Sequence, residues 1–145
     1  MVRKPGTTRA EFSESWLRHG KLVLDWFTQL GVAYYFQIHL PEDLPDSAGI
    51  PGDGVAVVAY RESSSIPGGG GGKDSFYEDY VLPDERRFLH DESGSKPILR
   101  DPPAFVIPKK ETLEWRDLAL KAGAKEYRLI EDGKVVINFS EVFPV

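Results

Sequence analysis

Residues 8–40, TRAEFSESWLRHGKLVLDWFTQLGVAYYFQIHL, decide the fold because they hold a helical pattern followed directly by an extended one. Thr8 and Glu11 match the capping box, in which a hydroxyl and a carboxylate satisfy free backbone donors at a helix N-terminus. Gly31 is the residue type that commonly ends a helix, and the aromatic and β-branched residues after it predict a strand over 32–40. Apolar residues recur at helical spacing before this glycine: Phe12, Trp16, Val23, Phe27 and Leu30.

Three further stretches upstream of residue 110 predict strands. Residues 55–60, VAVVAY, are apolar on both faces and predict a central strand of the sheet. Residues 76–82, FYEDYVL, alternate imperfectly and predict an edge strand, and residues 104–107 predict a short one.

The C-terminal part predicts a helix and a hairpin. Residues 111–122 carry Trp115 and Leu118 on one stripe, with acids in the first turn, and therefore predict a second helix. Asp-Gly at 132–133 lies between two apolar-alternating runs, which is the strongest short signal for a β-hairpin. Strands are expected over 126–130 and 135–139.

Together these elements predict an α+β fold with a single, mostly antiparallel sheet of five or six strands and two helices packed on one face. We predict that residues 1–145 form one domain with a flexible glycine-rich loop at 61–75, and that 83–103 is irregular. The aromatic stripe of the first helix, with Trp16 at its centre, is expected in the core. Both halves contain helix, strand, strand in that order, which raises the hypothesis of a duplicated unit.

Composition narrows the functional classes. The chain of 145 residues has a formal net charge of −5 and no cysteine. It therefore has neither a disulfide nor a cysteine nucleophile, and its mild acidity argues against a nucleic-acid partner. Its longest apolar runs are too short to cross a bilayer. We accordingly expect a cytoplasmic protein with neither nucleic acid nor membrane as its partner.

The sequence does not match two common catalytic motifs at the positions that their chemistry requires. Gly72-Lys73-Asp74-Ser75 ends the glycine run, but Asp74 would repel phosphate and strand-like residues follow instead of a helix. No serine lies in a Gly-x-Ser-x-Gly elbow. We predict no catalytic residue, no metal and no cofactor.

One alternative stays open, a metal-assisted hydrolase. His39 is followed closely by Glu42 and Asp43, and one imidazole with several carboxylates can hold a divalent ion. The acids at 78, 79 and 84 offer further ligands.

The favoured prediction is a noncatalytic protein-binding domain, such as a small regulator or a toxin-neutralising, immunity-type protein. Aromatic residues interleaved with acids are typical of protein-binding surfaces, where tyrosines anchor and charges steer. Bacterial immunity proteins are often small acidic α+β domains, which is an analogy of class alone. The expected partner is another protein, and the acidic surface could suit a basic one. The predicted binding residues are Tyr77, Glu78, Asp79, Tyr80, Asp84 and Glu85.

Overall fold

The longest helix, α1 (Arg9–Gln29), begins at the predicted capping box. The Glu11 backbone N–H donates to Thr8 Oγ1 at 3.1 Å, and the Thr8 backbone N–H donates to Glu11 Oε2 at 2.8 Å. Phe12, Trp16 and Val23 are buried, so the predicted core stripe of α1 is confirmed at these positions.

The sheet is built on the central pair β1 (Val32–His39) and β3 (Lys125–Glu131) in a computed structural model that describes residues 1–60, 75–90 and 110–143. β2 (Gly54–Tyr60) pairs with β1 and β4 (Lys134–Val135) pairs with β3, which gives the order β2-β1-β3-β4. Every pairing is antiparallel. The α+β class and the antiparallel sheet are therefore confirmed.

The described part of the chain contributes four strands, where the sequence predicted five or six. The strand predicted at 104–107 lies outside the described residues, as does the glycine-rich loop at 61–75 apart from Ser75. β2, predicted to be central, lies at one end of the described sheet. Its two apolar faces are explained by helices on both sides, since Val55 packs with α3 (Lys110–Lys121) and Ala56 packs with α1.

α1 and α3 contact opposite faces of the sheet, so the prediction that both helices pack on one face is wrong. Side chains alternate along β1. Gln37 points to α1, where its amide donates to the Trp16 carbonyl oxygen at 3.1 Å, whereas Ile38 packs with Trp115 and Ala119 of α3. The arrangement also argues against a duplicated unit, because a two-fold axis exchanging antiparallel β1 and β3 would leave both helices on one face.

The buried stripe of α3 is narrower than predicted. Trp115 and Ala119 are buried, but Leu118 is 52% exposed, so its placement in the core is wrong. Trp115 Nε1 donates to the Pro51 carbonyl oxygen at 2.7 Å, and Arg116 pairs with Glu126 of β3 at 3.0 Å. These two bonds hold α3 with its 115/119 side toward the sheet.

Residues 76–82 do not form the predicted edge strand. They form a π-helical turn, Tyr77–Val81, that continues into α2 (Leu82–Phe88). Val81 and Phe88 are seven residues apart and both buried, which is helical rather than alternating spacing. Pro83 stands near the start of α2, directly after the π-helical turn, and 83–88 is helical rather than irregular.

The predicted hairpin is confirmed, but its second strand is short. Asp132 and Gly133 have φ of 52° and 73°, the left-handed pair of a type I′ turn. Glu131 then pairs with Lys134 and Ile130 with Val135. The strand predicted to reach residue 139 ends early, because Asn138 caps the short helix α4 (Phe139–Val142) with a bond from the Ser140 backbone N–H.

Gly54 allows α1 to approach β2 closely, which leads to the first stability prediction. A Cβ at this position would lie 2.8 Å from the Ile38 carbonyl oxygen and closer still to the Trp16 ring. We expect Gly54→Ala to lower the free energy of unfolding by about 1–3 kcal/mol, the usual cost of overpacking a core. Urea unfolding followed by circular dichroism measures it.

A double-mutant cycle supplies the control for that prediction. In a Trp16→Leu background the added methyl no longer meets the indole ring, so Gly54→Ala should cost less than it does in the parent protein. The same cost in both backgrounds would contradict the proposed contact.

Candidate functional site

The six predicted binding residues lie on the π-helical turn and α2, but they divide into two groups. Tyr77, Asp84 and Glu85 turn toward the protein, whereas Glu78, Asp79 and Tyr80 are exposed. The six residues are close in sequence, and the helical geometry of the segment separates them into these two groups. The second group is the more exposed of the two.

The inward group fastens α2 to α1 through His19. His19 Nδ1 lies 2.8 Å from Asp84 Oδ2, and His19 Nε2 lies 3.8 Å from Glu85. Burial lowers the pKa of His19 in spite of Asp84, so the ring is neutral near pH 7 and donates its Nδ1 proton to the carboxylate. Asp84 is held from its other side by Arg87 at 2.5 Å.

Tyr77 completes this anchorage. Its ring lies 6.1 Å from that of Trp26 on α1, and its hydroxyl bonds Glu85. Burial, followed by the charge and hydrogen bond of Glu85, raises the pKa of Tyr77. The turn is thus fixed to α1 by packing on one side and by polar contacts on the other.

The outward group forms an aromatic and acidic surface. The Tyr80 ring is 58% exposed and lies 5.1 Å from the Phe76 ring, which itself lies 5.8 Å from Trp26. We call the surface made by the rings of Trp26, Phe76 and Tyr80 the Tyr80 patch, and Glu78 and Asp79 are the exposed acids of the same turn. Sequence reasoning missed Trp26, which lies beside the predicted core stripe of α1 and belongs to a distant part of the chain.

The metal-site alternative is not assembled around His39. Its side chain is 3% exposed and both ring nitrogens are engaged: Nδ1 lies 2.5 Å from Ser13 Oγ, and Nε2 lies 2.9 Å from Gln37 Oε1. Glu42 and Asp43 are exposed in the loop that follows. In residues 1–60, 75–90 and 110–143 no group of three His, Asp or Glu side chains is suited to hold a metal ion.

The contact between Ser13 and His39 resembles a nucleophile and base, yet its electrostatics favour a structural role. Gln37 Oε1 can only accept, so Nε2 carries the ring proton and Nδ1 accepts from the Ser13 hydroxyl. Burial, and then Lys125, lower the pKa of His39 to about 3. So weak a base does not remove a hydroxyl proton near pH 7.

The network continues inward from His39. Gln37 Nε2 donates to the Tyr35 hydroxyl at 2.7 Å, and the His39 ring stacks on Trp16 at 4.4 Å. The buried side chains of His39, Gln37 and Tyr35 are thereby hydrogen-bonded between α1 and β1, as buried polar groups require.

No protein-family model, curated protein or solved structure matches the chain. Among the helices that the structure describes, none is long and apolar enough to cross a membrane.

Proposed function

We propose that the domain is a noncatalytic protein-binding module that engages its partner through the Tyr80 patch. The observation that carries this proposal is a tyrosine ring left 58% exposed on a turn whose neighbouring side chains, Tyr77 and Val81, pack inward. Tyrosine supplies a large contact area with few rotatable bonds, which is why it is enriched among the residues that dominate binding energy.

The anchorage of the turn supports this reading. Because His19, Asp84 and Tyr77 fix the segment to α1, Tyr80 is presented on helical backbone rather than on a loose loop. A surface that is already ordered loses less conformational entropy when it binds, so more of the contact energy appears as affinity.

The charge of this turn favours a basic partner. Glu78 and Asp79 are exposed on the same turn as the Tyr80 ring, in a protein whose formal net charge is −5. Opposite charge on the partner would speed association and orient it, and added salt would weaken this steering. Within this proposal the chain is a small cytoplasmic regulator or an immunity-type neutraliser, as its size, acidity and lack of cysteine favour.

Tyr80→Ala is expected to weaken the partner complex by about 2 kcal/mol, roughly thirtyfold in Kd, without changing the melting temperature. The partner is captured from lysate of the native source with tagged protein and identified by mass spectrometry. Its affinity for purified variants is then measured by calorimetry at low and high salt.

Leu118→Ala is the matched control, because Leu118 is similarly exposed, at 52%, on a different helix. Leu118→Ala should leave the affinity for a genuine partner unchanged, whereas Tyr80→Ala should weaken it by the expected amount. Asp79→Lys should weaken the complex more at low salt than at high salt. Full retention by Tyr80→Ala would overturn the assignment of the patch.

A further inference from the structure

A second feature lies apart from the Tyr80 patch, in a recess between the N-terminal arm and the loop before β2. The recess has a volume of about 370 Å³. Its charged lining consists of three cations and two acids, namely Arg3, Lys4, Arg9, Asp46 and Asp53. Cationic residues therefore outnumber acids in this recess, although the protein as a whole is acidic.

The floor of the recess is a buried carboxylate that orients two guanidinium groups. Asp53 is 4% exposed, and its Oδ1 accepts from Arg9 Nε at 3.0 Å and also from Arg3 Nη1. Its Oδ2 accepts from the Arg3 backbone N–H at 2.9 Å. Arg9 is itself 8% exposed, so its head is held rigidly at the first turn of α1.

On their outer side, Arg3 and Arg9 bind a second carboxylate, Asp46, which is exposed where Asp53 is buried. Asp46 Oδ1 accepts from Arg9 Nη2 at 2.8 Å and lies 3.3 Å from Arg3 Nη2. The Asp46 side chain is 77% exposed and belongs to a single 3₁₀ turn, Asp46–Ala48. Of the two ion pairs that Asp46 makes, the one with Arg3 is exposed and the one with Arg9 is partly buried. Exposed pairs contribute little to stability, whereas a fully buried carboxylate such as Asp53 cannot lose its partners without a large cost. Asp46 is therefore the replaceable member of the cluster, and Asp53 is the permanent one.

We propose that this recess binds a small organic carboxylate, which takes the place of Asp46 Oδ1 between Arg3 and Arg9. The two guanidinium groups already bind a carboxylate oxygen in this geometry, and guanidinium forks are well suited to such groups. This proposal does not depend on the function proposed for the Tyr80 patch.

Charge and size narrow the ligand. With Asp46 displaced, the residues that line the recess carry the charges of Arg3, Lys4, Arg9 and Asp53, which sum to two net positive charges. A dicarboxylate neutralises them, and Ile50 offers an apolar wall for a short aliphatic body. The volume lies at the small end of ligand pockets.

The experiment compares succinate with the uncharged succinamide, using thermal shift and calorimetry on the full chain. The parent protein should bind succinate only weakly, because the tethered Asp46 competes at high effective concentration. Asp46→Asn removes this competing charge at an exposed position and should tighten succinate binding at least tenfold. Arg3→Gln in the same background should reverse the gain.

Asp43→Asn is the matched control, since it removes the same charge from the same exposed loop without a contact to either arginine. It should leave succinate affinity unchanged. Three results would overturn the proposal: folded Asp46→Asn that does not bind succinate more tightly than the parent, equal stabilisation by succinamide, or stabilisation by inorganic phosphate alone.

Discussion

Trp16→Ala is expected to lower the free energy of unfolding by about 3–5 kcal/mol, the range for removing a buried aromatic ring. Trp16 is 1% exposed and lies between Phe12, at 5.6 Å between ring centres, and the His39 ring. Gly54 beneath it has no side chain that could move into the space. The cavity would therefore remain, and urea unfolding followed by circular dichroism would show an earlier midpoint.

Trp26→Ala is the matched control for this prediction. Both indoles belong to α1, but Trp26 is only partly buried and packs against the rings of Phe76 and Tyr77. Its removal should cost clearly less. A Trp16→Ala protein that unfolds at the same urea concentration as the parent would overturn the assignment of this core.

Elements with local signals were predicted well from the sequence. The capping box of α1 and the Asp-Gly turn of the hairpin each satisfy backbone groups within a few residues, so neighbours in sequence determine them. Residues 76–82 have no such signal. Their helical state depends on burying Val81 against α1 and β3, contacts that no short window contains.

The sequence also did not predict which face of the sheet each helix covers. β1 carries apolar side chains on both sides, so either side could have received α3. The choice depends on contacts between distant segments, such as Trp115 Nε1 with the Pro51 carbonyl oxygen, 64 residues away. Periodicity within a helix does not contain this information.

The residues of the candidate sites also depend on contacts between segments that are distant in sequence. The sequence predicted one binding segment that contains both Tyr80 and Asp84, and it did not separate exposed Tyr80 from Asp84, whose partner His19 is 65 residues away. For the arginine recess the sequence contains one local indication, which is Arg9 in the first turn of α1. A positive charge there is disfavoured by the helix dipole and so suggests a specific partner. Arg9 is stabilised there by Asp53, 44 residues away.

His39 is expected to make the domain sensitive to acid. Its pKa falls from 6.5 to about 3 on folding, through burial first and Lys125 second. Between these values the unfolded chain binds a proton that the folded chain does not, so stability falls as the pH falls. The contribution is fully present above pH 6.5 and declines by about 1.4 kcal/mol per pH unit below it. At pH 4.5 the loss from this group alone should reach about 3 kcal/mol.

His39→Gln separates this effect from the protonation of carboxylates and of His19, whose pKa is lowered in the same direction. The variant should be less stable at pH 7, because it loses the stack on Trp16, yet its stability should fall less between pH 7 and pH 4.5. Nuclear magnetic resonance of the folded parent should show a neutral His39 ring down to pH 5. Two results would contradict this prediction: a His39 ring that titrates near pH 6.5 in the folded state, or the same fall in the free energy of unfolding with pH for both proteins. Either would mean that water reaches the hydrogen-bond chain from Ser13 through His39 to Gln37.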